Sequence, residues 1–175
     1  MDVFHTLAEI AVAITGFSSL IIIFRGSASD WGRQDYVSFA YALSWSIGSI
    51  FLSLLPVVLV EFGISLSVAA RIGLFCVVAY MFMVGAVLTY VRIGISKEGQ
   101  GSLRASTSVG MSLLWLAIVT TALAAGFGLL PGALHAWYAA AIVLLMVHAT
   151  AELGIFVVQT IRQPAPDQAV SRESE

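Results

Sequence analysis

Long apolar stretches alternate with short polar breaks along most of the chain. Five stretches, residues 4–24, 37–60, 68–91, 109–130 and 133–160, reach the roughly 20 residues that a helix rising 1.5 Å per residue needs to cross ~30 Å of hydrocarbon. In the third, everything from 72 to 91 is uncharged, with Arg71 and Arg92 at its two ends. Lipid offers no hydrogen bonds, so each backbone N–H and C=O must be satisfied within its own segment, and helices are predicted. The short alternating segments of a membrane barrel do not occur. The expected fold is all-α: a polytopic bundle of about five transmembrane helices over residues 1–162. A disordered tail is expected over 163–175, where Pro164, Pro166 and mixed charges replace the apolar pattern.

The breaks refine this. Residues 61–65 read as a short turn, residues 96–106 as a polar loop, and Pro131-Gly132 as a two-residue breaker that makes the fourth and fifth spans a tight hairpin. Leu54-Leu55-Pro56 and Leu129-Leu130-Pro131 both read as span ends, and each follows a tryptophan (Trp45, Trp115). That echo invites a reading as a parallel repeat, against the plainer one that Leu and Pro are common at span ends. Glu9 interrupts the first stretch, which leaves two readings for it: a crossing helix or one lying on the surface. An interfacial helix needs a strongly charged, usually basic, polar face, and this segment has none, so crossing is expected. The lack of Lys or Arg ahead of it also argues against a cleaved signal.

Composition supports the membrane reading. Of 175 residues 59% are hydrophobic and 10% charged, against about a quarter charged in average proteins; the mean hydropathy is +0.97. Too little charge remains to clothe a surface in water. The net charge of −2 and the absence of a basic cluster give no case for nucleic acid. One cysteine, Cys76, excludes an intrachain disulfide and reads as a small buried hydrophobe.

If all five stretches cross, Arg25, Arg33, Arg92, Lys97, Arg104, Arg162 and Arg172 share one side and only Arg71 takes the other. The positive-inside rule then makes the C-terminus cytoplasmic and puts the N-terminus outside. Trp137 and Tyr138 are expected at the outer interface, with Tyr36, Tyr41 and Tyr90 toward the inner one. Glu61 and Arg71 are expected to pair at the outer boundary, with snorkelling to the headgroups as the alternative.

Candidate chemistry rests on ionisable groups within the apolar stretches, which are costly there and mark function by default. His5 and Glu9 on the first span, and His148 and Glu152 on the fifth, are each spaced four apart and so share a helix face. Gln159 extends the second stripe. Spans one and five run the same way, so Glu9 and His148 meet at one level if the helices are neighbours. Such a cluster suits an ion, a proton or a polar ligand, or serves as glue that fixes helix packing. No metal-binding spacing, nucleophile motif or phosphate loop accompanies it, so no metal, cofactor or catalytic residue is assigned. His135, beside the outer turn, is expected to be solvated. A second signal is small residues at helical spacing: Ala42, Ser46, Ser49 and Ser53 on the second span, and Ala117, Thr121 and Ala125 on the fourth. Both read as packing seams, with a hydroxyl-lined water path as the alternative.

The run Ala8-Glu9, Ala11-Val12-Ala13, Gly16-Phe17, then Arg25, Trp31 and Asp35, followed by Leu54-Leu55-Pro56, resembles uncharacterised small multi-pass proteins of bacterial inner membranes. The resemblance covers about the first third of the chain and implies a bacterial plasma membrane, with Glu9 and Gly16 in the shared pattern; it brings no activity. The expected function is a non-catalytic membrane component or accessory subunit, not an enzyme. The expected partners are membrane lipid and further membrane chains, as a homo-oligomer or a larger complex. The alternatives are a small oligomeric channel or proton- or ion-coupled transporter, and then an intramembrane enzyme.

Overall fold

The computed structural model describes residues 2–24, 33–97 and 105–162. They form five helices: α1 (Asp2–Phe24), α2 (Arg33–Glu61), α3 (Leu66–Lys97), α4 (Ala105–Gly126) and α5 (Leu134–Arg162). Among the described residues there is no strand. Every helix contains a segment long and apolar enough to cross a membrane, as an integral membrane protein requires. The stretches holding Arg25, Trp31 and Arg104, the tail 163–175, and the Gln159 side chain lie outside the described residues and side chains.

Contacts between helices set their directions. Tyr138 near the start of α5 meets Leu52 toward the end of α2, and Phe156 near the end of α5 lies 5.9 Å from Phe39 near the start of α2. These two helices are therefore antiparallel. Phe4 near the start of α1 lies 5.7 Å from Tyr138, so α1 and α5 run the same way. Phe75 near the start of α3 meets Phe127, just past the end of α4, at 5.4 Å. The result is an up-and-down bundle in which α5 touches all four other helices, α2 touches α1 and α3 as well, and α1 and α4 stay apart. The first helix is a full member of it. Phe4, Leu7, Ala11 and Ser18 are buried along its length, as in a helix packed lengthwise on α2 and α5.

The core is built for close approach. Ala42, Ser46, Ser49 and Ser53 are all buried on α2, as the small-residue pattern predicts, and the three hydroxyls donate to carbonyls one turn earlier in their own helix (2.6–2.9 Å). They thus leave no donor unpaired where helices touch. On α4 the predicted seam is rotated: Ala125 is buried and Thr121 half-buried, but Ala117 is exposed, and Ile118 and Ala122 complete the inner face instead. The outside is apolar too, with Phe51, Phe82, Met83 and Leu113 all exposed.

Three boundary expectations change. α4 stops at Gly126, before the predicted residue 130, because Gly128 (φ 75°) takes the left-handed conformation. Its N–H bonds Ala125 and that of Leu129 bonds Ala124, closing the helix in a Schellman arrangement. The apolar Phe127, Leu129 and Leu130 hide this stop, so Pro131-Gly132 is not the breaker. Gly63 (φ 84°) closes α2 in the same way. Pro56, by contrast, does not end a span; α2 runs through it to Glu61. Since Pro131 stands in a loop and Pro56 inside a helix, the two Leu-Leu-Pro triplets are not structurally equivalent, and the echo carries no repeat. Glu61 and Arg71 are both exposed near the α2–α3 turn, with no ion pair between them.

Candidate functional site: a buried polar seam between α2, α3 and α5

Proline has no N–H, so Pro56 leaves the Leu52 carbonyl, four residues earlier, without its helical partner. In an apolar interior such a carbonyl costs about 1–3 kcal/mol. The Tyr138 hydroxyl, from α5, donates to that carbonyl. Its ring reaches there because α3 presents Gly73, where a Cβ would lie 2.5 Å from the ring. Tyr138 is fully buried, so it is no interface anchor, although it does sit near the predicted end of the bundle. Trp137 beside it is half-buried and donates to the Pro131 carbonyl (2.8 Å). Tyr36 and Tyr90 are exposed and Tyr41 is half-buried.

A second tyrosine repeats the arrangement one level down. Tyr80 of α3 lays its ring on Gly48 of α2 and donates to the Ser44 carbonyl. Its ring lies 5.7 Å from Trp45, edge to face, and Trp45 in turn lies 5.3 Å from His148 of α5 at 90°. Tyr80, Trp45 and His148 thus join α3, α2 and α5 in one aromatic row. His148 is the central residue of α5, fourteen from either end, so the row lies near mid-bundle.

Within it, two polar atoms have no hydrogen-bond partner among the described residues: Trp45 Nε1 and His148 Nδ1. Their side chains are 1% and 3% exposed. Indole Nε1 only donates, whereas a neutral imidazole Nδ1 donates or accepts according to tautomer. Each can therefore make a hydrogen bond that the described residues do not supply. Glu152, one turn beyond His148, is buried as well.

The other predicted pair is elsewhere. His5 and Glu9 are both exposed on α1, on the side away from the bundle, so they do not join His148 and Glu152 in a cluster. The expected meeting of Glu9 with His148 fails on helix phase rather than on neighbourhood: α1 does pack on α5, but through Phe4 and its neighbours. Among the described residues, no three His, Cys, Asp or Glu side chains gather as a metal site would need. His135 is exposed, as expected. Cys76 is half-buried and lines an apolar groove of about 370 Å³ between α2 and α3, together with Phe51, Leu55, Ala79 and Met83; neither His148 nor Glu152 borders it.

Sequence reasoning did not single out Trp45, Tyr80, Tyr138, Gly48 or Gly73 as parts of a site. Pro56 was the available signal, because a proline inside an apolar run obliges some neighbour to supply a donor. Compared with known proteins, the chain matches no protein-family model, no curated protein and no solved structure.

Proposed function

We propose that the protein is a non-catalytic component of a bacterial inner membrane, an accessory subunit that acts by associating with other chains within the bilayer. Its N-terminus is outside and its C-terminus cytoplasmic in this reading, which rests on the charge count along the sequence: seven of the eight basic residues follow the first, third or fifth apolar stretch. The observation that carries the proposal is the outward placement of His5 and Glu9. Glu9 stands seven residues into α1, roughly 10 Å along the helix from its outer end. A short carboxylate side chain at that depth does not reach water readily, and an ionisable group facing hydrocarbon is costly. Contact with another protein removes that cost. The buried polar row serves the opposite purpose, holding α2, α3 and α5 in fixed register.

Extraction of native membranes into a mild detergent tests this. The chain is expected to migrate as part of an assembly heavier than one copy, and to revert to a folded single chain when His5 and Glu9 are both replaced by Leu. A wild-type chain that remains a single copy in native-lipid discs contradicts the proposal.

A second reading, a proton- or polar-ligand role for the interior, is favoured by the unpartnered Trp45 Nε1 and His148 Nδ1. It requires that His148→Leu or Glu152→Gln abolish a flux measured in liposomes. Unchanged flux removes it.

A further inference from the structure

The outward face of α1 has a composition that selects its partner. Successive residues turn 100° about a helix, so Ala11 and Leu7, two positions either side of Glu9, point about 160° away from it. Both are buried, with Phe4 and Ser18 on the same inner side. Glu9 therefore points directly away from the bundle. His5, Ala13 and Gly16 lie within about 40° of it on the helical projection, and all three are exposed. A Cβ built on Gly16 meets nothing within 4 Å. Neither His5 nor Glu9 has a hydrogen bond or ion pair among the described residues.

From this we infer that the α1 face seats a second copy of this chain, in a parallel two-fold pair with His5 of each copy against Glu9 of the other. The inference rests on the association reading above and names its partner. Three features select a second copy. A donor and a carboxylate one turn apart on a single face are self-complementary under a two-fold axis, which brings each to its opposite twice. The offset of four residues is roughly 6 Å along the axis, and the His5 and Glu9 side chains bridge it diagonally across the crossing, as charged pairs flanking a parallel helix seam do. A second copy also inserts at the same depth and in the same orientation, so the two diagonal pairs are equivalent by symmetry. Below them, Ala13 and Gly16 let the two backbones approach, as small residues do where membrane helices cross.

The test uses disulfide trapping in native membrane vesicles on a Cys76→Ala background. Ala13→Cys and Gly16→Cys, oxidised with copper phenanthroline, are expected to give a species of twice the chain mass, because cysteines near a crossing bring their Cα atoms within about 7 Å. Val87→Cys, exposed on α3, is expected to give none. Adding Glu9→Gln should lower the trapped fraction several-fold, and Gly16→Leu with Ala13→Cys should abolish it. None of these positions is buried, so folding is preserved and serves as the control. Absence of the dimer at both positions, or equal trapping from Val87→Cys, overturns the inference. A bifunctional thiol reagent at position 13 separates the two failures: a trapped species containing a different protein leaves association standing and removes the second copy, whereas no trapped species removes both.

Discussion

Two pairs of residues share one spacing and have opposite fates. His5–Glu9 on α1 and His148–Glu152 on α5 each place an imidazole and a carboxylate one turn apart, yet the first pair faces out and the second is buried. The difference comes from how much of each helix is enclosed. α5 touches every other helix, so most of its faces meet protein and a stripe that includes Val143, Val147 and Val158 is left outside; α1 touches only α2 and α5 and keeps a wider side free. A polar group on an enclosed helix is held by the fold. On a peripheral helix the same group is left for whatever the membrane brings.

Five substitutions sharpen or break this contrast, each read as stability of the single chain against SDS in mixed micelles. The largest effect is expected from Gly48→Leu, since the Tyr80 ring occupies that space; a loss of about 3 kcal/mol, the upper end of ordinary overpacking, is predicted. Gly16→Leu, the same exchange on the open α1 face, should leave stability unchanged. Next, Tyr138→Phe should cost about 1–2 kcal/mol by stripping the donor from the Leu52 carbonyl. In a Pro56→Ala background that loss should shrink, because an alanine at this position restores the N–H that the carbonyl lacks; an equal loss in both backgrounds would refute the pairing of Tyr138 with the proline. His148→Leu comes third. Removing an imidazole whose Nδ1 has no protein partner should change stability by no more than about 1 kcal/mol, in either direction. A loss above about 2 kcal/mol would show that the imidazole holds a group of its own in the folded chain. Glu9→Gln joins Gly16→Leu at the small end, within about 0.5 kcal/mol, as for an exposed position free of intrachain contacts.

Much of the fold was legible because bilayer thickness imposes a length on apolar runs, and that length shows directly in sequence. Helix ends were harder to read. Gly128 stops α4 inside an unbroken apolar stretch, and hydropathy does not register a left-handed turn. The α2 seam of Ala42, Ser46, Ser49 and Ser53 was legible because small residues at helical spacing have one use at a crossing. The similar stripe on α4 misled at Ala117, because a peripheral helix also carries small residues on its open side. The candidate site was half visible. Residue type marked His5, Glu9, His148 and Glu152 as costly, but nothing in their spacing says which way a helix is rotated. That depends on which other face packs better, and on α1 Phe4, Leu7 and Ala11 took the inner side from Glu9.

The proposed association requires the polar face of α1 to be covered by protein in the membrane. Nitroxide labels at positions 13 and 16, on a Cys76→Ala background in lipid vesicles, report this through collision with oxygen dissolved in the bilayer. The prediction is a collision rate well below that of a label at Met83 or Val87, both exposed on α3, and a rise to that level when Glu9 is replaced by Gln. Equal rates at all four positions in the unaltered chain would mean that lipid bathes α1 freely, and would contradict the account.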